Sequence, residues 1–121
     1  MPVSRSALRF QDQLSGYDID PQRYLAEANR KAKKYNGSSL RFSRDKIHKL
    51  ELTDPSGKTV RFGRVGYGDF LIYSHLESLG YFPEGYSDKK RNTFQKSHSA
   101  IKGEWKTNPY SKNNLALHIL W

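Results

Sequence analysis

LRFSRDKIHKLELTDPSGKTVRF, Leu40–Phe62, is where the apolar pattern of the chain takes on a period of two. Leu40 and Phe42 alternate with polar neighbours, as do Leu50 and Leu52, and Val60 and Phe62 resume the alternation beyond Asp54-Pro55-Ser56-Gly57. Proline second and glycine fourth suit a tight turn. The stretch therefore predicts three short antiparallel strands, near residues 39–43, 46–53 and 58–63, the last two forming a hairpin. His48 is in phase with Leu50 and Leu52 and reads as a sheet residue rather than a ligand. A sheet with one apolar face needs a cover.

The cover is predicted just upstream. DPQRYLAEANRKAKKYNG, Asp20–Gly37, has an Asp cap, Pro21 at the first helical position, helix formers through Lys34 and an Asn36-Gly37 stop. Tyr24, Leu25, Ala28, Ala32 and Tyr35 give this helix one apolar stripe, and Arg30, Lys31, Lys33 and Lys34 crowd its last turns, where the helix dipole favours cations. The ordinary reading of that charge is a solvated helix end; the functional one is a grip on phosphate.

Downstream, VRFGRVGYGDF, Val60–Phe70, sets three glycines among aromatics in a basic chain and raises the question of a phosphate cradle. The order of glycines is GxxGxG, the reverse of the dinucleotide fingerprint, and no GxxxxGK[ST] or kinase lysine motif accompanies it. The expected role is structural: Gly63 ends the strand, and Gly66 and Gly68 turn the backbone so that Tyr67 and Phe70 return to the core. Asp69 would then bond local amides or an arginine such as Arg64.

Leu71–Tyr86, broken by Gly80, Pro83 and Gly85, reads as an excursion whose Tyr81, Phe82 and Tyr86 meet the core or a neighbour. A basic helix is predicted from Ser87 to Gly103, and a terminal helix with Asn108 and Pro109 as cap and first position, its Leu117, Leu120 and Trp121 on one face. Residues 1–19 show no sustained period and are expected to form an extended arm, with residues 20–121 a single small domain. The fold expected is α+β: a small three-stranded sheet, two or three helices and that arm.

Composition narrows function. The 121 residues contain no cysteine, which excludes disulfides, thiolate metal sites and thiol nucleophiles. No window of 18 apolar residues and no apolar leader segment is present, so neither a membrane span nor a secretory signal is expected, and the protein reads as soluble and intracellular. Mean hydropathy is −0.86 and rings make up 13% of the chain, so aromatics must carry much of a thin core. The net charge of +9 lies in the flanks, because residues 46–86 hold as many acids as bases. An acidic partner is the implication. His48, His75, His98 and His118 form no metal-ligand spacing, and a nuclease-like set of His98, Asn108, Asn114 and His118 lacks the strand-borne histidine such a site uses. No cofactor and no enzymatic activity are expected. Lys89, Lys90, Arg91 and Lys96, with Lys102, Lys106 and Lys112 beyond, interleave with Phe94, Trp105 and Tyr110, a composition suited to gripping a nucleic-acid backbone with rings to stack.

Phe62-Gly63, Tyr67-x-Asp69-Phe70, the basic Asp88–Arg91 segment leading to His98, Trp105 and the Ile119-Leu120-Trp121 run together resemble a family of small basic virion-associated proteins of nucleocytoplasmic large DNA viruses. The resemblance covers Leu40–Trp121. It departs at Ser74–Tyr86, an insertion, and at Ser97, where the family usually has arginine. It implies a structural virion protein without assigned activity, located in the particle and in host cytoplasm during assembly. The expected role is a minor capsid protein that cements capsid subunits or links the shell to an inner layer. Candidate contacts with capsid proteins are Phe10, Tyr81, Phe82, Tyr86, Trp105 and Trp121. The alternative is a sequence-independent DNA-binding protein of the virion core, using Lys31, Lys33, Lys34, Lys89, Lys90, Arg91 and Lys96.

Overall fold

The alternating stretch pairs as its spacing predicts, into an antiparallel sheet of order β1-β2-β3 with β1 Arg41–Phe42, β2 His48–Thr53 and β3 Thr59–Arg64. The computed structural model describes residues 5–45, 47–101 and 107–121, with side chains from residue 10 onward. Leu50 lies opposite both Phe42 and Phe62, and Leu52 opposite Val60, so the apolar side chains share a face. The hairpin is pinned by Asp54, whose carboxylate accepts from the Ser56 and Lys58 amides at 2.9 Å each. Strand β1 is shorter than expected because Leu40 pairs elsewhere: its amide donates to the Asn29 side chain at 2.6 Å and its carbonyl accepts from it at 3.3 Å.

Helix α2, Pro21–Tyr35, follows its caps. The Asp20 side chain accepts from the Gln22 amide at 3.0 Å, and Gly37 takes the chain out with φ of +79°. Ala28 and Ala32 are fully buried, and such small side chains let a helix approach its neighbours closely.

Three expectations are corrected. Residues Arg5–Gly16 form a helix, α1, in place of an extended arm, and its Phe10 and Leu14 are buried in the same core as the sheet. Phe10 meets Tyr24 and Phe42 edge-on at 5.3 and 6.0 Å between ring centroids. Burying those two side chains is worth roughly 3–6 kcal/mol, which a solvated arm would forgo. The excursion after the glycines opens as helix α3, Phe70–Ser78, because Asp69 is its cap, accepting from the Ile72 amide at 2.9 Å. Tyr67, expected to return to the core, is instead 65% exposed.

Helix α4, Tyr86–Ser99, forms the basic segment, and α5, Lys112–Leu115, is capped by Ser111 rather than Asn108. A π-helical turn, Ala116–Leu120, continues it. The wider turn changes which side chains point inward: Leu115, Ile119 and Leu120 are buried, while Leu117 is only half-buried. The described residues thus hold five α-helices and one three-stranded antiparallel sheet, an α+β fold with more helix than the sequence promised. Strand β2 departs from simple alternation, since Lys49 and Glu51 are buried along with Leu50 and Leu52.

Candidate functional site

Several of the residues that carry the sequence resemblance meet in space. Gly63 has φ of +73°, and a Cβ there would stand 2.8 Å from the Leu120 Cδ1, so a side chain at this position would be strained and the π turn packs against a glycine. Asp69 caps α3 with one oxygen; with the other it accepts from the Tyr24 hydroxyl at 2.6 Å and from the Lys49 ammonium at 2.8 Å. Burial, then the Asp69 charge and hydrogen bond, raise the Tyr24 phenol well above its usual range, so it stays a donor. Phe70 carries the Arg91 guanidinium 3.4 Å above its ring centroid, and Arg91 Nε donates to the Trp121 carbonyl at 3.0 Å. Trp121 in turn stacks on Phe94 at 4.4 Å, and Phe94 on His98 at 3.6 Å. One continuous set of internal contacts therefore uses Gly63, Asp69, Phe70, Arg91 and Trp121.

That arrangement redistributes the candidate contact residues. Phe10 is buried in the core and is not available to a partner. Trp121 is half-buried against Phe94, and both faces of the Phe94 ring are taken, so α4 does not offer that ring for stacking a base. Tyr110 packs against the core. Trp105, Lys102 and Lys106 lie outside the described residues. At the corner between α3 and α4, Phe82 and the first residue of α4, Tyr86, are stacked on each other at 4.3 Å and half-buried, whereas Tyr81 is 73% exposed. Leu79, which sequence reasoning did not single out, is exposed beside it. The corner is rigidly tied, because the Ser87 amide and hydroxyl both donate to the Glu77 carboxylate, at 2.7 and 3.0 Å. The Ser87 amide accordingly lowers the Glu77 pKa.

The basic residues divide likewise. Lys33, Lys34, Lys89, Lys90 and Lys96 are exposed, while Lys31 and Arg91 are half-buried and face the same Phe70 ring. Of the nuclease-like set, His98 stacks on Phe94 and His118 on Tyr35 at 4.2 Å, two separate partners, while the Asn114 side chain donates to the Asn108 carbonyl at 2.9 Å. His48 is half-buried in the sheet as expected, bonded through Nδ1 to Asp45 at 2.6 Å. An apolar cavity of about 580 Å³ lies beside Phe62, Tyr73, Phe94 and Trp121, with Lys49 and Asp69 in its wall already bonded to each other. Among the described residues no three His, Asp or Glu side chains are grouped to hold a metal, and no helix is long and apolar enough to cross a membrane.

Residues 38–73 match the model of a family of unknown function (DUF5754), a span that runs from the approach to β1 into α3 and includes Gly63, Asp69 and Phe70. No curated protein and no solved structure matches the chain.

Proposed function

We propose that this chain is a structural protein of a virus particle, a minor capsid component that cements capsid subunits or links the shell to an inner layer, and that it performs no catalysis. The exposed Leu79 and Tyr81 at the tied corner between α3 and α4 are the observation that supports this most directly. Two large apolar side chains held outward on an anchored corner are suited to burial against a partner, and an aromatic at the centre of such a contact supplies much of its energy. The internal use of Gly63, Asp69, Phe70, Arg91 and Trp121 supports it from the other side. Those residues stabilise one shape instead of presenting a nucleophile or a proton donor to a ligand.

The test is to look for the chain in purified particles and then to weaken the corner. Mass spectrometry of intact virions is expected to find it. A Leu79→Ser/Tyr81→Ser variant is expected to fold normally, since both residues are exposed, and to lose at least tenfold in co-sedimentation with assembled capsid protein. Absence from particles, or capsid binding untouched by that double substitution, overturns the reading.

A further inference from the structure

The two basic runs read separately in the sequence converge. Lys31 on α2 places its ammonium 5.9 Å from the centroid of the Phe70 ring, and Arg91 on α4 lies 3.4 Å from the same centroid. Arg91 is held in place by its bond to the Trp121 carbonyl. Beside Lys31 opens a cavity of about 430 Å³ lined by Arg30, Lys31, Lys34, Tyr35 and His118, its ring wall formed by the parallel Tyr35–His118 stack. Among the described residues, Glu27 pairs with Arg30, and no carboxylate forms a salt bridge with Lys31, Lys34 or Arg91. Burial first and the Arg91 charge second lower the Lys31 pKa, against the smaller pull of Asp69 and Glu27. Two cations brought to one ring in partly dry surroundings repel each other, and an anion bound beside them relieves that.

We propose that the surface formed by this cavity on α2, together with Arg91 of α4 across the Phe70 ring, binds the phosphodiester backbone of a nucleic-acid strand without reading its sequence. On α2 Lys34 follows Lys31 one turn on, and on α4 the exposed Lys89 and Lys90 precede Arg91 and add positive charge around it. A repeating anion matches that spread of charge better than a single carboxylate does. A planar guanidinium suits phosphate oxygens, and the flat Tyr35–His118 wall gives a ribose or base something to lie against. The inference stands apart from the capsid reading, since it concerns a different surface.

The experiment is fluorescence anisotropy of the full chain with a labelled single strand and a labelled duplex at several salt concentrations. Binding of either is expected to weaken linearly with log salt. Lys31→Gln and Lys34→Gln are each expected to weaken it several-fold at low salt and to reduce the slope by about 1. Lys34 is exposed, so its variant keeps the fold, verified by circular dichroism; Lys58→Gln, on the hairpin turn, is the control expected to bind normally. No binding at low salt, or slopes unchanged in both cavity variants, overturns the proposal. So does displacement of the strand by polyglutamate at equal charge, which assigns the surface to an acidic protein instead.

Discussion

Asp69 and Glu51 are both carboxylates with essentially no exposure, yet they are neutralised in opposite ways. Asp69 faces Lys49, whose side chain is itself 2% exposed, and the Tyr24 hydroxyl. Glu51, on the sheet, gathers Arg41, Arg44 and Arg61 at 2.7, 3.2 and 3.3 Å, and all three arginines reach solvent. An ion pair closed inside the fold leaves a stranded charge when one member is removed, whereas cations at the surface return to water. The difference separates a joint that fixes the fold from one that trims a sheet.

Five measurements bear on that contrast. Asp69→Ala should be the most damaging change, about 3–5 kcal/mol in thermal or denaturant unfolding, because it strands the Lys49 ammonium and uncaps α3. If a Lys49→Met/Asp69→Leu pair recovers most of that loss, the damage came from the unpaired charge rather than the cap; no recovery would assign it to the cap. Glu51→Gln is expected next, about 1–3 kcal/mol, since its buried oxygens accept from Arg41, Arg61 and the Arg44 amide. A loss equal to that of Asp69→Ala would erase the distinction.

Acid should weaken the fold through the same carboxylate. Burial alone would raise the Glu51 pKa, but the Arg44 amide and the Arg41 side chain outweigh it and hold it below its ordinary 4.5. The unfolded chain therefore binds this proton more readily. The stabilisation is present above about pH 4.5 and is lost as pH falls through the lower folded value, so Glu51→Gln should flatten an acid-unfolding curve in that window. Asp45, held low by His48 and Ile47 amides against burial, contributes in the same direction and will leave a residual slope. Smallest of all, Arg44→Ala should cost less than about 1 kcal/mol and less still at high salt, its side chain being 63% exposed.

The hairpin and α2 were legible because local chemistry settles them: Asp54-Pro-Ser-Gly makes a turn whatever surrounds it, and Asp20-Pro21 starts a helix. Helix α1 was missed although Phe10, Leu14 and Tyr17 stand at helical spacing, because the polar residues between them obscured the stripe. Helix α3 is hidden in the sequence because FLIYSHLES lacks a clean polar face and Asp69, just after Gly66 and Gly68, reads as a turn residue rather than a cap. Each basic run was visible alone. Their meeting over Phe70 depends on how α2 and α4 pack, which no spacing in the chain encodes.

The core takes Phe10 and Leu14 from one end of the numbering and Leu115, Ile119 and Leu120 from the other. On a ribosome, α1, α2 and the hairpin emerge early and are able to pair with one another, but the pocket that receives the π turn stays open until residue 120 has been made. The slowest contacts are those between the most distant segments. Until residue 120 has been made, the side of Gly63 that meets Leu120 is uncovered, and a chaperone or an assembly partner arriving in that interval meets a surface that the π turn covers in the folded chain.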